Sequence, residues 1–100
     1  MSKEAKQVVS SGDLYQDLGF PPEKAELLNI KTKLGIEIEN YIETNNLKQD
    51  EAAKKMGISR PRLRKLINGS LELFTVDALI QMLAKIGKRT EVKVKKVRVS

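Results

Sequence analysis

The stretch Leu47-Lys48-Gln49-Asp50-Glu51-Ala52-Ala53-Lys54-Lys55-Met56-Gly57-Ile58-Ser59-Arg60-Pro61-Arg62-Leu63-Arg64-Lys65-Leu66-Ile67-Asn68-Gly69 decides the fold. It reads as two short helices, Gln49 to Met56 and Arg60 to Asn68, divided by Gly57-Ile58-Ser59. Gly57 permits a left-handed turn there, and the Ser59 hydroxyl is placed to accept a hydrogen bond from an unpaired helix N–H. Small Ala52 and Ala53 let the helices approach closely, while Met56, Ile58, Leu63 and Leu66 fill the space between them. With Leu63, Leu66 and Ile67 inward, helical spacing turns Pro61, Arg64, Lys65 and Asn68 outward, flanked by Arg60 and Arg62. Asn68-Gly69 is a usual helix stop.

The outward face is strongly cationic. Lys48 to Gly69 carries seven positive side chains (Lys48, Lys54, Lys55, Arg60, Arg62, Arg64, Lys65) and two negative ones, Asp50 and Glu51. The local excess of five nearly accounts for the net charge of +6 on the whole chain. Such a charge attracts polyanions, nucleic acid first among them. Arginine can make two hydrogen bonds to the O6 and N7 of guanine, whereas lysine serves mainly as a phosphate contact.

Working outward, Leu27, Ile30, Leu34, Ile38, Tyr41 and Ile42 recur at steps of three and four, predicting one long helix from Pro22 to about Asn45. Its other face carries Lys31, Lys33, Glu37, Glu39 and Glu43. Leu28 and Ile36 lie off the main stripe and suit either the preceding apolar cluster, Leu14 to Phe20, or a second chain. That cluster is kept short by Gly19 and Pro21-Pro22 and is expected to fold back onto the domain. A further helix is capped by Thr75 and runs to Ile86, with Leu79, Ile80, Leu83 and Ile86 inward. In the tail, Val92 and Val94, then Val97 and Val99, alternate with charged residues as in a half-buried strand over residues 90–99. No other segment reads as a strand, so its expected partner is the same strand of a second copy, which makes a homodimer. Lys93, Lys95, Lys96 and Arg98 then form the solvated outer face of that strand, the alternative being a direct contact to DNA or RNA.

Composition excludes other classes. One hundred residues fit one domain: a polar arm over residues 1–13 and a folded unit over 14–100 with the two-helix motif at 47–69. With no Cys and no His, the chain lacks disulfides, thiol nucleophiles, the commonest general base and the commonest zinc ligands. Glu39 and Glu43, four apart on one helix face, are explained by ion pairing and solvation without catalysis. No enzyme, cofactor or metal site is expected. No apolar run exceeds three residues, so neither a signal peptide nor a membrane span is expected, and the compartment is read as cytoplasm.

Gln49, Ala52-Ala53, Met56-Gly57-Ile58-Ser59, Leu63, Leu66 and Asn68-Gly69 resemble the Cro/cI-type, or XRE, helix-turn-helix family. The wider pattern resembles its HigA-like antitoxin branch: Asp13 to Phe20 before the long helix, Phe74-Thr75-Val76-Asp77, and a Val-rich strand after Ile86-Gly87. The resemblance implies an all-α, five-helix lambda-repressor-like domain with a C-terminal β-strand for dimerisation. It implies binding to double-stranded DNA at an inverted repeat, with the start of the second motif helix in the major groove. In that family the position of Gln49 contacts phosphate and braces the recognition helix, and those of Arg60, Pro61 and Lys65 commonly face bases. Ser59 caps that helix, and Arg62, Arg64 and Asn68 sit where bases or phosphates are met. Two positions depart from the pattern: Lys48 stands where Thr or Ser normally caps the first motif helix, leaving Asn46 as the alternative cap, and Pro61 offers no hydrogen-bond donor.

HigA-like relatives repress their own operon and neutralise a RelE-like toxin, so the resemblance also implies a protein partner, for which residues 1–20 are the candidate contact. Two alternatives stay open. One is a phage-type repressor with no toxin; the other is a protein-interaction module that keeps the helix-turn-helix as scaffold.

Overall fold

The computed structural model describes residues 18–96 of the chain. The arm over residues 1–13, Leu14 and the last four residues, Val97 and Val99 among them, lie outside the described residues.

Four α-helices are present among the described residues: α1 (Pro22–Thr44), α2 (Gln49–Met56), α3 (Arg60–Ile67) and α4 (Val76–Lys85). A single 3-10 turn, Leu71–Leu73, joins α3 to α4. Each boundary has a local cause. Pro22 occupies the first turn of α1, where its missing N–H leaves no bond unmade. The Thr75 hydroxyl accepts from the Ala78 N–H at 3.2 Å and starts α4. Asp77, in the first turn of α4, has its carboxyl held below the usual range by hydrogen bonding to the Thr75 side chain and to backbone N–H groups.

At the start of α2 the cap differs from the sequence-based alternative. Asn46 adopts φ 53° and belongs to the turn that ends α1. There the Leu47 N–H reaches Ile42 O (3.0 Å) and the Asn46 N–H reaches Glu43 O (3.1 Å), which uses two of the carbonyls a helix end leaves open. The exposed N–H at α2 is taken instead by Glu51, whose Oε1 accepts from Lys48 N–H at 3.0 Å. A lysine at the cap position is tolerated because the carboxylate three residues on supplies the acceptor.

Gly57 ends α2 at φ 75°, and the Ile58 N–H returns to Ala53 O at 3.0 Å. A Cβ at this position would sit 3.0 Å from Lys85 Cε and 3.1 Å from Lys85 Cδ, because the Lys85 stem crosses the turn. Gly57→Ala therefore faces both a left-handed backbone and a displaced neighbour, and is expected to lower stability by about 1 to 2 kcal/mol, read as a fall in urea midpoint. Neutral stability in that variant would show that the turn relaxes freely.

The core gathers Leu34 and Ile38 of α1, Ala52, Ala53 and Met56 of α2, Leu63 and Leu66 of α3, and Phe74, Leu79, Met82 and Leu83. Apart from Phe74 it is aliphatic. Helix α1 lies against α4 and the 3-10 turn, while α2 packs on both α3 and α4. Gly35 makes the contact to the turn possible, since a Cβ there would come within 3.3 Å of Leu71 Cδ2. Ile80 and Ile86 flank this core half-buried, and Met82, absent from the expected inward set, is buried.

Several expectations need correction. Leu27 and Ile30, placed inward by periodicity, are exposed at 44% and 38%, and Lys31, assigned to the polar face, is buried. The buried positions of that half of α1 are Ala25 and Lys31, with Leu28 half-buried, so the inward line runs beside the expected stripe rather than along it. Leu18 is 66% exposed and so is not folded into the core. Ile36 is also exposed, and Leu28 is half-buried.

Five helices and a strand are not what the described residues form. Residues 90–96 have no strand conformation, and Val92 and Val94 are 79% and 89% exposed. A strand needs a neighbour to hydrogen-bond with, and among the described residues this chain has no other strand to supply one.

Candidate nucleic-acid interface

Helix α3 is positioned by its own ends and by its buried side. Ser59 Oγ accepts from the Arg62 N–H at 3.3 Å, so the hydroxyl caps the helix as the sequence predicts. At the far end the Ser70 N–H returns to Lys65 O (2.9 Å) and the Gly69 N–H to Leu66 O (3.0 Å). Leu63 and Leu66 are fully buried, which fixes the rotation of the helix about its axis. Arg60, Pro61, Arg64, Lys65 and Asn68 consequently share the solvent side, and all are exposed.

Arg62 stands at the edge of that face, also exposed, but its side chain is engaged. Its Cζ lies 4.5 Å from the centroid of the Phe74 ring, within cation–π range. Around this pair is an open depression of about 350 Å³ lined by Ser59, Pro61, Arg62, Lys65, Leu73 and Phe74. Its lining combines apolar side chains (Pro61, Leu73, Phe74) with two cations, Arg62 and Lys65. Leu73 and Phe74 were not expected at the site. No local spacing signals them, because their place beside α3 depends on how the chain returns through the 3-10 turn to α4.

Gln49, predicted as a brace for α3, opens α2 half-buried and makes no side-chain hydrogen bond among the described residues. Lys54 and Lys55 are exposed in the last turn of α2, and Lys48 is exposed at its cap. Lys85, not singled out in the sequence, brings another cation to the turn through its passage over Gly57. The exposed side chains from Lys48 through Lys65 thus include seven cations, with Asp50 and Glu51 as the two acids.

Among the described residues no group of three or more acidic, His or Cys side chains is placed to hold a metal ion. Among them, too, no helix is long and apolar enough to cross a membrane.

Two short helices about a left-handed glycine turn, the second with its buried side locked and its outer side cationic, define a helix-turn-helix domain. The chain belongs to the helix-turn-helix domain family, which matches residues 14–95. Among solved structures it is similar to one described as an XRE family transcriptional regulator. The two are 29% identical with a TM-score of 0.69, over 77% of this chain and 90% of that one. No curated protein matches the chain.

Proposed function

We propose that the protein is a sequence-specific DNA-binding transcriptional regulator that places the N-terminal half of α3 in the major groove. The observation that carries this reading is the exposed set Arg60, Pro61, Arg64, Lys65 and Asn68 on a capped helix whose opposite side is locked in the core. The family and the XRE-type neighbour support DNA-binding regulation as the class. In this reading Arg60, Arg62, Arg64 and Lys65 supply base and phosphate contacts, Ser59 and Asn68 flank them, Pro61 meets an apolar base edge, and Gln49 meets phosphate once DNA is bound.

The finer reading is a homodimer on an inverted repeat, its two α3 helices about 34 Å apart. Support comes from the sequence pattern of Val92 and Val94, which alternate with charge and are exposed in the single chain, leaving apolar side chains for a second copy to cover. Its HigA-like antitoxin role, repressing its own operon and binding a RelE-like toxin, rests on the resemblance carried by Asp13 to Phe20, Phe74 to Asp77 and the Val-rich tail.

A footprint on the promoter upstream of the gene, at physiological salt with competitor DNA, tests the reading. A protected inverted repeat sustains it. No preference over competitor overturns it and leaves the helix-turn-helix as scaffold for a protein contact. Within a positive result, Arg60→Ala or Arg64→Ala is expected to cost about 1 to 3 kcal/mol on the operator and far less on random DNA. Lys54→Ala is expected to weaken both about equally, and equal effects from all three variants would remove the base-reading role of α3.

A further inference from the structure

Among the cationic side chains of α3, Arg62 differs from the rest. Arg60, Arg64 and Lys65 are exposed and, among the described residues, have no side-chain ion pair or ring contact. Arg62 has its guanidinium over the Phe74 ring at 4.5 Å. Phe74 is itself packed in place: it is 1% exposed and belongs to the core shared by α1, α2, α3 and α4. Leu73 and Pro61 also line the open depression beside the pair.

Stacking and hydrogen bonding use different parts of a guanidinium. The ring takes a face, while the N–H donors lie along the edge and stay available to a nucleic acid. A free arginine loses side-chain freedom when it docks, whereas one already held on a rigid ring has lost much of it beforehand. A side chain held in this way also adapts less to a wrong base, so its contribution goes into discrimination more than into overall attraction.

We infer that Arg62 is a specificity-determining residue of this interface and that Phe74 is its positioning residue, holding the guanidinium edge at the mouth of the depression. The inference rests on the DNA-reading function proposed above. It gives Phe74 a role that its burial alone would assign to packing.

The test uses the full chain, the duplex it selects from a randomised pool, and a random duplex of equal length. The quantity read is the ratio of the two dissociation constants. Arg62→Lys keeps the charge and loses the planar fork, and is expected to lower the ratio about tenfold, with most of the loss on the selected duplex. Phe74→Leu keeps an apolar core residue and loses the ring, and is expected to lower the ratio about threefold or more with the salt dependence unchanged. Because Phe74 acts through Arg62, the double variant is expected to fall no lower than Arg62→Lys alone. A general loss of structure would instead weaken both duplexes together.

An unchanged ratio in Phe74→Leu, or the same further drop when it is added to Arg62→Lys, overturns the positioning role. If Phe74→Leu does not fold, Arg62→Lys decides, and an unchanged ratio there overturns the proposal. A wild-type chain that selects no sequence from the pool fails the DNA-reading function itself, an outcome distinct from a selective wild type indifferent to Phe74.

Discussion

Leu63→Ala is expected to lower the free energy of unfolding by about 2 to 5 kcal/mol, the largest stability effect of any single truncation in the recognition helix. Leu63 is 0% exposed, and its core includes Ile38 of α1, Ala52 and Met56 of α2, and Phe74 ahead of α4. Removing its three outer carbons leaves a void that three separate segments would have to move to fill, and close-packed interiors relax only in part. A domain of 100 residues holds roughly 5 to 15 kcal/mol in total, so the loss consumes a large fraction of it. Urea unfolding followed by helical circular dichroism should show the midpoint falling with the slope unchanged. The same truncation at Leu27, which is 44% exposed, is expected to cost less than about 1 kcal/mol. A Leu63→Ala loss below about 1 kcal/mol would mean that α3 is not anchored by its buried side. The orientation argued for Arg60, Arg64 and Lys65 would then lose its basis.

That contrast between Leu63 and Leu27 also marks what was legible in the sequence. Helix ends were readable because each rests on chemistry within a few residues: Pro22 in a first turn, Gly57 at positive φ, the Ser59 and Thr75 hydroxyls, Asn68-Gly69 at a stop. The outward face of α3 was readable for the same reason, since Leu63 and Leu66 at helical spacing fix what lies opposite. Periodicity reports where a helix carries apolar residues but not which line along it the chain covers. Leu27 and Ile30 therefore belong to the apolar pattern and still face solvent, while Ala25 and Lys31 take the buried positions of that half of α1. The tail shows a related limit: alternation of Val92 and Val94 describes a side-chain pattern, whereas a strand is a hydrogen-bonded pair. Phe74 beneath Arg62 depends on how the chain returns from α3 to α4, and no local spacing encodes that meeting.

The second large effect concerns salt. If the protein binds as the proposed dimer and Lys48, Lys54 and Lys55 of each copy meet phosphates, about six are neutralised, and counterion release gives a slope near −5 in log affinity against log salt. Raising salt from 50 to 200 mM is then expected to weaken operator binding about a thousandfold. These lysines are suited to the task because they are exposed at both ends of α2, and lysine acts as a point charge with little demand on geometry. Arginines that read base edges contribute differently, through hydrogen bonds that salt screens less, so Lys54→Ala should reduce the steepness by about two in the dimer. Arg60→Ala or Arg64→Ala should change the intercept more than the slope. Titrations at four salt concentrations on operator and random duplexes separate the two behaviours. A slope near −2 or shallower would show that the lysines of α2 lie away from the backbone. The cationic surface around α3 would then be a solvated helix face, and the attraction inferred from the charge of +6 would have to arise elsewhere on the chain.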